Sequence, residues 1–151
     1  MLATLNNLAM TYRALGRHEE ALRLRRDVYF GYVKLHGKEN ERTLVAANNY
    51  ADFLICLRRL EEAKALLRKT TPVARRVLGE SHDLTLRLRF NYARALFLDT
   101  GATLADQREA MAMLEDTERT ARRVLGGAHP FTGSIERCLK EARSTLAFDA
   151  P

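Results

Sequence analysis

Apolar residues along the chain recur at steps of three and four and do not settle into alternation, so the pattern predicts helices and no strands. Leu5, Leu8, Tyr12 and Leu15 make a first stripe that Gly16 breaks, and a second helix runs from His18 to about Leu35, ahead of Gly37. The pair recurs from about Arg42 to Leu57 and from Leu60 to Leu78. It recurs again from about Leu84 to Leu98 and from Asp106 to Leu125.

Landmarks inside these helices repeat at a fixed distance. Asn7, Asn49 and Asn91 follow one another at 42 residues, each with an alanine two places on: Ala9, Ala51 and Ala93. Ala21 and Ala63 keep that step, as do Gly37 and Gly79, but Ala110 and Gly126 fall 47 beyond their counterparts. The third unit therefore carries five extra residues, placed in "DTGATLADQREA". There Gly and Thr predict a long, mobile turn over 99–105, and Asp106-x-x-Glu109 predicts a capping box that restarts the helix. One helix hairpin cannot bury its apolar face alone, so successive hairpins must stack and share a core. The expected fold is all-α: an α-solenoid of three hairpins, about 1–42, 43–84 and 85–131, in a single repeat domain over 1–151.

At these residues the chain resembles a known family. "LNNLAMTYRALGRHEEALRL" resembles a tetratricopeptide repeat, and the 42-residue period with "AANNYADFLICLRRLEEA" is similar to the kinesin light chain type. The usual period is about 34 residues, so the longer unit implies an extended second helix and linker. Three departures stand out: Arg58 takes the place of Gly16, Phe90 that of Asn6 and Asn48, and Arg25 a place where the family packs an aromatic ring. Leu67 and Leu114 keep that last place apolar. The tail "HPFTGSIERCLKEARSTLAFDAP" opens like a fourth unit, then puts Cys138 in the asparagine slot and Lys140 in the alanine slot. It predicts a capping helix over about 132–148, with Glu136, Arg137, Lys140, Glu141 and Arg143 exposed. Met1 falls where a linker threonine stands in the next unit, so the first helix is expected to be uncapped, as in a piece of a longer array.

The resemblance implies a role for the asparagines. In such repeats, residues at the places of Asn7, Asn49 and Asn91, with Asn6 and Asn48 beside them, hold an extended peptide in a concave groove. An amide carries both donors and an acceptor, which suits a peptide backbone of any sequence. The alternative is that they bond a neighbouring helix and stabilise stacking. One turn on stand Met10, Asp52 and Arg94, and a further turn on Arg13, Ile55 and Phe97, all expected on the asparagine face. Arg13, Arg87 and Arg94 against Asp52 alone predict a mildly positive groove, fit for a ligand with acidic residues around an apolar anchor. Equally open is that several of these arginines are solvated or paired with Glu on adjacent helices. Phe90 and Phe97 are either a pocket or core.

Composition narrows the function classes. In 151 residues with 46% hydrophobic content, no apolar run reaches the roughly 20 residues of a membrane span. No secretory pattern opens the chain, and Cys56 and Cys138 form no CxxC pair, so a cytoplasmic protein with reduced thiols is expected. The net charge of +6 gathers in the second helices, at Arg23, Arg25, Arg26, Arg68, Lys69, Arg75, Arg76, Arg122 and Arg123. Interspersed acids favour a solvated convex face there over a nucleic-acid or anionic-membrane surface. Glu19-Glu20 and Glu61-Glu62 fit the first turn of a helix better than a catalytic pair. His18, His36, His82 and His129 are scattered, and the last two shape linkers rather than bind a metal. Neither a catalytic motif nor a cofactor loop appears. The expectation is a non-catalytic protein-interaction module without metal or cofactor. The runner-up is a structural scaffold piece of a larger repeat array, in which the stacked edges make the contacts, or a solenoid that associates with itself at its first helix.

Overall fold

The computed structural model describes residues 1–148, with α1 (Leu2–Ala14), α2 (His18–His36), α3 (Glu41–Cys56), α4 (Leu60–Leu78), α5 (Asp83–Leu98), α6 (Leu104–Leu125) and α7 (Pro130–Phe148). No strand occurs among the described residues, and residues 149–151 of the expected domain lie outside them. The stacked helix hairpins form the expected all-α solenoid.

Local chemistry sets the helix ends. Asn40 caps α3 by accepting the Arg42 N–H. His82 Nδ1 accepts the Leu84 N–H at 3.1 Å, and His129 Nδ1 accepts the Phe131 N–H at 3.1 Å, so both histidines serve as linker caps. The restart of α6 corrects the sequence expectation: the box is made by Thr103 and Asp106, and Glu109 takes no part. With Thr103 as N-cap, its hydroxyl accepts the Asp106 N–H and the Asp106 carboxylate accepts the Thr103 N–H, which satisfies two free donors at once and moves the helix start to Leu104. The preceding turn, 99–103, is the longest within a hairpin and is tied down by Lys64, whose ammonium lies 2.6 Å from Asp99.

The turns inside the first two hairpins share one geometry. Arg17 N–H bonds the Tyr12 carbonyl and Gly16 N–H the Arg13 carbonyl, and Arg59 and Arg58 repeat this with Leu54 and Ile55. The residue at the bend is left-handed in both, with φ of 75° at Gly16 and 61° at Arg58. A side chain there crowds the backbone at about 1–2 kcal/mol, part of which the greater freedom of unfolded glycine cancels. Arg58→Gly is therefore expected to stabilise the fold by about 0.5–1 kcal/mol. The check is a raised urea midpoint at unchanged slope, and a lowered midpoint would contradict it.

Small residues let the helices close up. Ala9, Ala21, Ala51, Ala63, Ala93 and Ala110 are all buried. Around them lies one apolar cluster centred on Leu44, Leu54, Leu67 and Leu88, and a second that joins Leu86 and Leu114 to Phe131, Ile135 and Leu139 of α7. α7 thus packs one apolar face on the stack, while Arg137, Lys140, Glu141 and Arg143 point to solvent. Glu136 is half-buried, against the Arg122 guanidinium.

Candidate functional site

The first helices of the hairpins line one side of the solenoid. There α3 packs on α5 and α5 on α7, whereas among the described residues no Cα of α2 comes within 8 Å of α4, nor any of α4 within 8 Å of α6. Helices closer on one side than on the other bend the array, which makes the first-helix side concave.

Two cavities open on this side and share Asn49. One, of about 590 Å³, lies between α3, α5 and the start of α7, and is lined by Asn48, Asn49, Asp52, Arg87, Phe90, Asn91, Arg94, His129, Pro130, Phe131 and Ser134. The other, of about 460 Å³, lies between α1, α2 and α3, with Asn6, Asn7, Val28, Tyr32, Glu41, Arg42, Val45 and Asn49 on its walls. Of the nine residues singled out by sequence, Arg13 alone lines neither cavity; its guanidinium sits 5.6 Å above the Phe53 ring.

The asparagines divide into two kinds. Asn91 is 5% exposed, donates to Asn48 Oδ1 at 2.9 Å and accepts from Arg94 at 3.0 Å. Arg94 also donates to Asp52 at 3.0 Å, so four side chains tie α3 to α5 in one network. Asn6 is likewise engaged, accepting from Arg25 at 2.8 Å. Asn7 and Asn49, by contrast, make no side-chain hydrogen bond among the described residues, and neither is buried.

Arg25 is the odd member of its register. It is 8% exposed where Leu67 and Leu114 are fully buried, and burial pushes its guanidinium below the ordinary arginine value, with the positive charge of Arg13 adding to this and Asp52 opposing it. It therefore belongs to the interior and not to the basic outer face read from the sequence. Beside it, α1 keeps every Cα more than 8 Å from α3, unlike α3 against α5. A polar pair, Arg25 with Asn6, stands in that interface where Leu67 and Asn48 stand in the next.

The charge balance of the groove also differs from the sequence reading. Arg94 is paired with Asp52 of α3, and Arg87 with Asp83 of its own helix at 2.9 Å, so both are paired, but with aspartates and not with Glu on adjacent helices. Arg13 and Arg42 hold no ion pair among the described residues. Ile55 is 2% exposed and belongs to the core, since each three-residue step falls 60° short of a full turn and two such steps carry it off the asparagine face. Phe90 stacks edge-on against Phe131 at 5.6 Å and lines the groove as well. Phe97 is half-buried against the second cluster. The α7 residues were missed because the tail reads as a cap. The signal available was the repeated "LG" then His at 78–82 and 125–129.

Outside the groove, the paired carboxylates are ion-paired: Glu19 and Glu62 with Arg59, Glu20 with Arg17, and Glu61 with Lys64. Some of the outer arginines are matched too, Arg75 with Glu80, Arg76 with Glu39, and Arg122 with Glu118 and Glu136, whereas Arg23, Arg68, Lys69 and Arg123 hold no acid among the described residues. Among the described residues no group of three metal-binding side chains converges, and no helix is long and apolar enough to cross a membrane.

Comparison with known proteins agrees with this architecture. The family model for the tetratricopeptide repeat matches residues 42–123, and a second model of the same description matches residues 1–40. Two solved structures of nearly identical TPR-like repeats, from a Podosopora anserina protein described as a kinesin light chain, superpose with TM-scores of 0.82 and 0.81. Each is 23% identical, over 93% of this chain and 64% of the solved one. BtubC (BKLC) from P. vanneervenii matches at a TM-score of 0.55 and 16% identity, over 99% of this chain and 66% of that one. The chain thus spans a little under two thirds of the length of these structures. No curated protein matches it. Repeats of this fold generally serve protein–protein interaction or scaffolding. With its period, its stacked hairpins and both matches covering residues 1–40 and 42–123, the chain belongs to the tetratricopeptide repeat family.

Proposed function

We propose that the chain is a non-catalytic interaction module that holds an extended segment of a partner protein along its concave side. The observation that carries this is Asn49: an amide with no bonding partner among the described residues, standing where the two groove cavities meet. Asn7, one repeat earlier, offers a second such amide in the same cavity as Asn49. Together they can bond a peptide's N–H and C=O groups whatever its side chains. Asn6, Asn48 and Asn91 then act as walls, and the Asp52–Arg94 and Asp83–Arg87 pairs are close to neutral. Selection for acidic residues in the ligand falls to Arg13 and Arg42, whose steering weakens as salt rises over a Debye length of about 8–10 Å. Such a module needs no cofactor, and a cytoplasmic setting suits its two free thiols.

A scaffold role is favoured by one feature, the exposure of Leu8 on α1 and of Leu15 just after it. The two readings separate on peptides selected by display against the whole chain. Asn49→Ala is expected to weaken them about three- to tenfold in calorimetry, the worth of one lost hydrogen bond, while the oligomeric state holds. Peptides that bind Asn49→Ala as tightly as the parent would overturn the groove. A change of oligomeric state on Leu8→Glu, with no peptide selected, would favour the scaffold.

A further inference from the structure

The two gaps between successive second helices are repeats of one another, and their chemistry is opposite. Between α4 and α6, Arg89 reaches out from α5 with its side chain 12% exposed, 2.5 Å from Asp116 and 3.8 Å from Glu80. That gap carries its own cation between two acids. One repeat earlier, between α2 and α4, the corresponding positions are Ala47 for Arg89, Lys38 for Glu80 and Lys69 for Asp116. The cation is deleted and both acids are inverted. At the same time Thr71, Pro72, Arg75 and Thr120 of the second gap correspond to Tyr29, Phe30, Val33 and Val73 in the first, so its walls turn apolar.

The result is a cavity of about 360 Å³ with Tyr29, Phe30, Val33, Tyr50 and Val73 on its walls and both lysines among its lining residues. Neither lysine has a carboxylate partner among the described residues. Glu62, the acid on the wall, already accepts from Arg59 at 2.7 Å. Phe30 is 57% exposed at the rim. A concave apolar space of a few hundred Å³ with few, convergent polar groups is the size and character of a small-molecule site.

We propose that this α2–α4 cavity binds a small organic anion with an apolar body, an aliphatic or aromatic carboxylate. Its charge lies between Lys38 and Lys69, in the place its sister gap gives to a cation of the chain itself, with the signs reversed. Its body lies on Tyr29, Phe30 and Tyr50. Burial raises both tyrosines above the ordinary phenol value, so their hydroxyls stay protonated and can donate to the carboxylate. The site is on the opposite side of the solenoid from the asparagine groove, and it stands or falls independently of the peptide reading.

The test is calorimetric titration of the whole chain with decanoate below its micelle concentration, with 4-phenylbutanoate as the aromatic probe and decanol as the neutral comparator. Saturable one-to-one binding of at least one carboxylate is expected, with decanol about tenfold weaker or more, the worth of one charge-assisted contact. The double variant Lys38→Glu/Lys69→Asp should lose the carboxylate by a similar factor. Adding Ala47→Arg to it restores the charge pattern of the sister gap, and this triple variant should keep the parent's helical circular dichroism without binding. No saturable binding of either carboxylate overturns the proposal, and so does equal binding of decanol and decanoate. Capture of an acidic peptide through Lys38 and Lys69, with both carboxylates inert, would overturn it in favour of a protein ligand.

Discussion

Replacing Leu67 with alanine is expected to lower the unfolding free energy by about 3 kcal/mol, and Leu114→Ala by about as much. Both side chains are fully buried, each at the meeting point of three helices, so the loss combines transfer out of water with a cavity that packed neighbours cannot refill. The same change at Arg25, in the same register one repeat earlier, should cost about 1 kcal/mol or less. There alanine removes a hydrogen bond to Asn6 and the packing of an aliphatic stem, but it also relieves a cation held partly out of water. Urea unfolding of the three variants checks the contrast. An Arg25→Ala loss equal to that of Leu67→Ala would mean that the polar pair holds the first interface as firmly as leucine holds the second.

Asn91→Ala is expected to cost about 2 kcal/mol of stability, since it strips a buried amide bonded on both sides, leaves the Asn48 oxygen without that donor and reduces the Arg94 Nη1 to its bond with Asp52. Asn49→Ala, at the corresponding position one repeat earlier, should change stability by no more than about 0.5 kcal/mol. Thermal melts of the two variants side by side decide it. A parent-like melt for Asn91→Ala would show that its network is dispensable and return Asn91 to the pool of ligand contacts.

The fold was legible because an amphipathic period and a 42-residue repeat constrain each other: each hairpin needs the next to bury its stripe. The asparagine roles were not, and the reason lies between repeats. Asn91 finds the Asn48 oxygen of the preceding unit, but across from Asn49 the helices α1 and α3 stand farther apart, and the Asn6 oxygen there accepts from Arg25. Identical residues at one register therefore do different work, because what faces them changes. The neutralisation of Arg87 was within reach, as Asp83 stands four places before it on one helix. That of Arg94 was not, since Asp52 comes from another repeat. The wall supplied by Phe131 was hidden by the degenerate look of the last helix.

The wide spacing of α1 from α3 has a mechanical consequence. The first hairpin is fastened to the stack mainly through α2, by α2 packing on α3, whereas α5 is held by α3, α4, α6 and α7 at once. Pulled from its two ends in an optical trap, the molecule should lengthen first by the release of α1 and α2 at low force, then by a single larger rupture of the remaining stack. A tether attached at the amino end would thus act as a compliant lead into a stiffer spring.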